Sequence, residues 1–276
     1  MIISRLILRI EMHDYDYNDL LELYKNLGLG PGRVVYVTGN FGRLGRYYQN
    51  EREIILQDHI NAIQEIIGIN GTLVVPTHSW SLCNTDKLFD VENMKSETGP
   101  FTEKVRKMDN SVRQFHPFSS LTAVGKKSVE ICTNNSRHVF GLESPFQRMI
   151  DLDALYISVG QSMERSISLV HHIELLMGVP YRYTKEFIQP CLIDGDIKMI
   201  EFYAFVTRNE CDIIRDRNTK IMSKFREKYN LQNVSVGRSF AESLNMKDFF
   251  QSTTKEFMKD MYIWLKNDPK IRPYRE

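Results

Sequence analysis

VVYVTGNFGRLG at residues 34–45, EREIILQDHINAIQEII at 51–67 and TLVVP at 72–76 together decide the fold class. The first stretch opens on a short apolar run rich in β-branched valine, and the third is another such run, as buried strands are. The second spaces its apolar residues with the period of a helix. Strand, glycine-containing loop, helix and strand in that order form a βαβ unit, whose commonest solution is a right-handed crossover in a buried sheet.

Upstream, DLLELYKNLGL (19–29) has helical spacing, with Asn18 expected as its cap and the Gly28–Gly32 stretch containing Pro31 as its end. The first ten residues, MIISRLILRI, carry Arg5 and Arg9, lack a small-residue cleavage site and are too short to span a bilayer. A first strand is expected there in place of a signal peptide. Downstream, residues 77–98 are long, irregular and polar, with Trp80 and Phe89 as apolar anchors, and a loop of that length inside a compact chain is usually functional. It is expected beside a substrate site. LTAVG (121–125) and ALYISVG (154–160) read as short buried strands. Ser144 to Asp151 starts like a helix with Pro145 in its first turn, and Ser166 to Met177 reads as another. The last sixty residues are charged and helical in period, above all Met246 to Leu265, where Phe249, Phe250, Phe257, Met261 and Trp264 are apolar. The expectation is one α/β domain over residues 1–276, with a mixed central sheet, flanking helices and a helical C-terminal segment as cover.

With 42% hydrophobic residues the chain can bury a sizeable core, and 36 Lys plus Arg against 35 Asp plus Glu leave no field to gather nucleic acid or an anionic membrane. Cys83, Cys132, Cys191 and Cys211 stand far apart, which disfavours a zinc knuckle, a thioredoxin-type site or a disulfide scaffold and fits a reducing cytoplasm. There is no G-x-S-x-G, so a serine hydrolase lacks its nucleophile signature.

Four places carry residues capable of chemistry. In VHHIE, His171 and Glu174 are three apart, so on a helix they share a face and the carboxylate reaches the imidazole, which makes a general base for an amine that must lose a proton. The plainer alternative is a surface pair decorating a helix, and His172, on another face, reads as structural. The pair also lacks the second helical histidine of H-E-x-x-H, so no zinc or other metal is expected. In HPFSS, proline biases His116 toward an extended edge position where its ring enters a cleft, against the alternative of a buried, hydrogen-bonded histidine. Thr77 and His78 sit just beyond a central strand, at the end where α/β sheets bind ligands; Thr77 is either a donor to a developing oxyanion or a strand cap. TGNFGRLG matches neither G-x-G-x-x-G nor the P-loop pattern. Its amides with Arg43 or Arg46 suit a pyrophosphate, and a tight strand-to-helix turn explains it equally.

Taken in order, these stretches resemble the aminoglycoside 3-N-acetyltransferase family from about Leu20 to Leu265. LGLGPGRVVYV, GTLVVPT, ETGPFTEKVRK, HPFSSLTAVG, FGLESPFQRM and SLVHHIE are each similar to a family motif in the same order, with Val170 in place of a leucine, and VGRSFAESLNMKDFF resembles the closing segment. The resemblance implies acetyl-CoA or another acyl-CoA as donor, direct transfer without a covalent enzyme intermediate, and a fold unrelated to the smaller GNAT acetyltransferases. It implies His171 as general base, Glu174 as its orienting partner and Thr77 at the thioester. It also implies cofactor contacts from Thr38, Gly39, Asn40, Arg43, Gly45, Ser119 and Ser120, and acceptor contacts from His78, Trp80, His116 and Ser144. The family's default acceptor is the 3-amino group of a 2-deoxystreptamine aminoglycoside, with antibiotic resistance as the role; a homodimer is admitted. Two departures stand out. Gly39 and Asn40 occupy positions where many members carry a serine pair and a nearby basic residue, and the chain is near neutral where members acting on polycationic drugs are often acidic. Its acceptor loop holds Asp86, Asp90, Glu92 and Glu97 beside Lys87 and Lys95. A nucleotide-linked amino sugar or another biosynthetic amine is therefore the alternative acceptor, and a non-catalytic member binding CoA or sugar the alternative of another class.

Overall fold

In the computed structural model residues 13–275 are described; the apolar start expected as a first strand lies outside the described residues. A seven-stranded sheet runs in the order β3-β4-β2-β1-β5-β9-β8, from β1 (Val34–Gly39), β2 (Thr72–Pro76), β3 (Val112–Arg113), β4 (Leu121–Gly125), β5 (Leu155–Val159), β8 (Gln232–Val236) and β9 (Ser239–Asn245). β1 pairs in parallel with both β2 and β5, and the remaining pairs are antiparallel. The sheet is mixed, as expected, and the βαβ unit closes through α2 (Arg52–Ile67).

Alternation of side chains along β1 divides the core. Val35 and Val37 join Leu73, Val75, Ile157 and Val159 on one face, covered by α1 (Tyr17–Asn26), α2 and α3 (Pro100–Arg106). Val34, Tyr36 and Val74 face the other way, onto α4 (Ser128–Cys132), α5 (Pro145–Asp151), α7 (Leu169–Met177), α8 (Thr219–Arg226) and α9 (Met246–Lys259). α1 is capped by Asp16, not Asn18. The Asp16 carboxylate accepts from the amides of Asn18 (2.8 Å) and Asp19 (3.1 Å), while the Asp19 carboxylate accepts from the Asp16 amide at 2.7 Å, a reciprocal capping box.

Three expectations are corrected. The helix expected over Ser166–Met177 is two, α6 (Met163–Ser166) and α7, because the Tyr156 hydroxyl takes up the Ser166 carbonyl and the Ser168 amide at the break. The C-terminal helix ends at Lys259; Ile263, Trp264 and Leu265 are buried from irregular chain beyond it. The last sixty residues are also not wholly helical, since β8 and β9 extend the central sheet. β9 reads as polar because Glu242 and Ser243 are buried inside it: Glu242 accepts from the Met163 amide and Asn233, and Ser243 donates to the Leu27 carbonyl.

A second sheet, unforeseen, is the hairpin of β6 (Arg182–Ile193) and β7 (Asp196–Thr207), turned at Asp194 and Gly195, both at positive φ (53° and 87°) as a two-residue hairpin turn demands. Phe187 and Phe202 on the hairpin pack with Leu82 and Phe89, so the 77–98 segment is pinned to it. Among the described residues no helix is long and apolar enough to cross a membrane.

Candidate active site

The carboxyl ends of the parallel strands β1, β2 and β5 lie on one edge of the sheet, which is where open α/β sheets hold ligands. Because β4 and β9 run antiparallel, their starts lie at the same edge. Residues 40–51, 77–98, 119–120, 160–168 and 237–238 therefore converge there, cross-linked by the Asn40 amide to the Val159 carbonyl (2.7 Å), the Thr77 amide to the Ser120 carbonyl (2.9 Å) and the Arg238 amide to the Leu44 carbonyl (2.8 Å).

At this edge a cavity of about 680 Å³ opens between the β1–α2 loop and the start of α3. Gly39, Asn40, Gly42 and Gly45 form part of one wall, Gly99 and Phe101 part of the other, and the lining is apolar with Arg52 and Gln161 among its polar groups. Of the residues expected at a cofactor, Gly39, Asn40 and Gly45 line this cavity; Thr38 and Arg43 do not. Gly39 has a separate reason to be glycine. Its φ is +139°, and a Cβ there would fall 2.1 Å from the Val159 carbonyl oxygen of β5.

Thr77 and Ser120 meet, but inside the protein. The Thr77 hydroxyl is fully buried and shares bonds with the Ser120 carbonyl (3.2 Å), the Ser120 hydroxyl (3.2 Å) and the Thr122 hydroxyl (3.0 Å). These bonds are those of a strand cap, with the hydroxyl turned into the protein. Arg113, which the sequence reading passed over, holds the same place from below. Its guanidinium donates to the carbonyls of Thr77 (2.8 Å), Val91 (3.1 Å) and Met94 (2.5 Å) and to the hydroxyls of Ser79 and Ser120, with no carboxylate pairing it among the described residues. Burial pulls its pKa down to about 10, with Arg106 adding to the shift.

His78 and Ser119 also meet, Nδ1 to Oγ at 3.0 Å, and the exposed Trp80 ring lies nearly parallel to both His78 and Phe118. Burial, with the Arg113 charge, brings His78 down to about 4. His116 and Ser144, expected as acceptor contacts, are fully buried instead. His116 Nδ1 accepts the Phe118 (3.3 Å) and Ser119 (3.4 Å) amides and so shapes the turn into β4, while Ser144 caps α5 and donates to the Gly141 carbonyl.

His171 and Glu174 lie on α7, whose Leu169, Val170 and Ile173 are buried and whose end is set by Gly178 in the left-handed region. The pair is not surface decoration. Glu174 has no exposed side-chain area, whereas the His171 ring keeps 29% of its own. Glu174 Oε2 lies 2.7 Å from His171 Nδ1 and 3.1 Å from Arg182 Nε, and its Oε1 accepts the Tyr181 hydroxyl at 2.7 Å. Burial acts to raise the Glu174 carboxyl, but the His171 hydrogen bond, the His171 and Arg182 charges and the Tyr181 hydroxyl outweigh it and hold it below the ordinary range. For His171 burial lowers the pKa, Glu174 opposes, and Arg182 and Arg215 lower it further, leaving it below its ordinary value. A neutral ring whose Nδ1 donates to a carboxylate carries its lone pair on Nε2. The ring stands edge-on to Trp264 (5.1 Å, 84°), which has the guanidinium groups of Arg182 and Arg215 at 5.0 and 5.2 Å from its ring centre. Arg182 and Tyr181 were missed because they meet Glu174 only through the fold. No hydrogen bond joins this cluster to Thr77 or His78, and no group of three or more potential metal ligands occurs among the described residues.

Comparison with known proteins agrees with this architecture. A family model described as aminoglycoside 3-N-acetyltransferase matches residues 38–258. Aminoglycoside N(3)-acetyltransferase VII of Streptomyces paromomycinus is 24% identical over 190 residues, covering 62% of this chain. The match spans 64% of that relative's length. AAC-IIIb, solved in binary complex with CoASH, superposes with a TM-score of 0.77 at 17% identity over 92% of this chain and 99% of that one. AAC-VIa bound to sisomicin superposes with a TM-score of 0.76 at 15% identity, over 89% and 98% respectively.

Proposed function

The chain belongs to the aminoglycoside 3-N-acetyltransferase family, and from that premise we propose that it is an acyl-CoA-dependent N-acyltransferase acting on an amine of an amino sugar, by direct transfer with His171 as general base. Acetyl-CoA is the first-choice donor, and the 3-amino group of a 2-deoxystreptamine aminoglycoside the first-choice acceptor. The carrying observation is the buried Glu174 against a part-exposed His171, which orients an imidazole with Nε2 free to accept.

The amine acceptor is an ammonium ion near neutral pH and becomes a nucleophile only when it loses a proton; Nε2 takes that proton while Glu174 holds Nδ1–H and compensates the imidazolium that forms. When bound, acyl-CoA supplies an activated thioester. The cavity between Gly39–Gly45 and α3 suits its pantetheine and phosphates: the walls are apolar, glycine backbone lies open, and Arg52 lines it. The neighbour that binds CoASH supports this use. A cytoplasmic site of action, where acyl-CoA is made, goes with it. His78 and the exposed ring of Trp80 stand at the same sheet edge and are assigned to the acceptor's side of the site; the sisomicin-bound neighbour supports an aminoglycoside as acceptor. One observation favours a different acceptor: the exposed Arg215 guanidinium lies over Trp264 beside His171, a cation suited to an amino sugar that carries an anionic group.

The test is thiol release from acetyl-CoA by the purified protein against aminoglycosides and nucleotide-linked amino sugars. Release that depends on an aminoglycoside carries the first reading, and release only with an anionic acceptor carries the second. CoA binding without release for any acceptor makes the protein a non-catalytic member. In the first two cases His171→Ala lowers turnover by about a hundredfold or more with CoA binding retained; equal turnover removes His171 from its role.

A further inference from the structure

Arg182 opens β6 and is 6% exposed at its side chain. It is fixed from three sides. Nη1 donates to the Phe205 carbonyl of β7 at 3.0 Å, Nε pairs with Glu174 Oε2 at 3.1 Å, and the guanidinium lies over Trp264 at 5.0 Å. That leaves Nη2 3.3 Å from His171 Nδ1. Nδ1 cannot both donate to Glu174 and accept from Arg182, and the 2.7 Å contact to a carboxylate is the stronger of the two, so Nη2 meets Nδ1 as a neighbouring charge.

A buried carboxylate alone would hold an imidazolium beside it and keep the proton that the base must be free to take. Here the same oxygen that orients His171 is already compensated by a guanidinium, and a second positive charge on the ring would sit against the first. We propose that Arg182 is a positioning residue that keeps His171 neutral at rest, with Nδ1–H directed to Glu174 and Nε2 accepting. The proposal rests on the reading of His171 as the general base. The other groups that face the ring agree in sign or act through Glu174. Arg215 adds positive charge from beyond Trp264, the Tyr181 hydroxyl occupies the second Glu174 oxygen, and the uncharged Phe140 and Trp264 rings pack against the imidazole. The lowered His171 pKa, set first by burial, accords with this balance.

The experiment is ¹⁵N NMR titration of the His171 ring in wild type, Arg182→Met and Arg182→Lys, set beside the pH dependence of kcat. Wild type at pH 7 is expected to show a neutral ring protonated on Nδ1; an imidazolium, or a ring protonated on Nε2, overturns the proposal without any variant. Arg182→Met is expected to raise the ring pKa by about one unit or more and to carry the acid-side limb of kcat upward by the same amount. Arg182→Lys keeps the charge and stays near wild type. A ring pKa unmoved in folded Arg182→Met overturns the proposal. A ring pKa that rises while the acid limb stays in place overturns the general-base reading instead, so the two failures are distinguishable.

Discussion

His171 Nδ1 and Glu174 Oε2 stand 2.7 Å apart across one turn of α7, with the carboxylate sealed from solvent and the ring not. The sign of each influence on the ring sets what Glu174→Gln does. Burial lowers the His171 pKa and the Glu174 charge raises it, so removing that charge lets the pKa fall further. The unprotonated base then persists to lower pH, and the acid-side rise of the kcat profile moves to lower pH. A glutamine still accepts from Nδ1–H, so the loss of rate is smaller than the roughly hundredfold expected for His171→Ala. An acid limb that does not move excludes Glu174 from tuning the base.

Arg113 ties three carbonyls of the 77–98 segment to the sheet edge, at Thr77, Val91 and Met94. Arg113→Met removes these donors while keeping an unbranched apolar stem out to about the Nε position. The Thr77 carbonyl keeps the Ser120 hydroxyl as donor, but those of Val91 and Met94 lose their partner at a cost on the order of 1 kcal/mol each, so a stability loss of about 2 kcal/mol is expected. Limited proteolysis should open first within 77–98, and the acceptor KM should rise about tenfold or more with CoA affinity little changed, since only Thr98, at the end of that segment, lines the cavity. Equal losses for both substrates would show that the segment does not serve the acceptor.

The parts of this molecule legible in its sequence are those where one local rule decides. β1, α2 and β2 announce themselves through valine runs and a helical period, and the shared face of His171 and Glu174 follows from their spacing. What stayed hidden depends on partners far along the chain. β9 looks polar because Glu242 and Ser243 find their hydrogen bonds at Met163 and Leu27. Glu174 is an ion-pair partner only because β6 brings Arg182 back to α7. The resemblance implies His116 and Ser144 as acceptor contacts, and what it could not convey is that the fold buries one in the turn into β4 and the other as the cap of α5. One signal was there to be read: Asp194-Gly195 between two alternating runs is a hairpin turn.

Three fully buried histidines predict acid sensitivity. Burial brings His59 and His116 down to about 3 and His172 down to about 4, whereas in the unfolded chain they titrate at their ordinary value near 6.5. Between those limits the unfolded state binds more protons, so the stability these neutral rings contribute is present above pH 6.5 and is lost as pH falls toward 3. One pH unit below 6.5 is worth about 1.4 kcal/mol per ring, so urea unfolding at pH 5.5 should give a stability about 4 kcal/mol lower than at pH 7. His59→Leu should remove roughly a third of that difference, though it also removes the partner of the Tyr24 hydroxyl and lowers stability at both pH values. Stability unchanged between pH 7 and 5.5 would mean that the rings titrate normally in the folded state.

Two glycines of the β1–α2 loop separate the cavity's role in binding from its role in folding. Gly39 has a φ of +139° and no room: an added methyl would overlap the Val159 carbonyl, amide and carbonyl carbon, all backbone atoms of a central strand. Gly39→Ala should therefore lose more than about 2 kcal/mol of stability, as strained backbone with no space to relax does. Gly42 also lines the cavity, but a Cβ there meets nothing nearer than the Asn40 Oδ1 at 3.5 Å, and its backbone is not in the left-handed region. Gly42→Leu accordingly leaves the fold within about 0.5 kcal/mol of wild type while adding a branched side chain to the wall assigned to the cofactor. CoA affinity, read by calorimetry, should fall tenfold or more in Gly42→Leu with thermal unfolding unchanged. If Gly42→Leu binds CoA as wild type does, the cofactor does not occupy this cavity, and its contacts must be sought across the same sheet edge, beside His78 and Ser119.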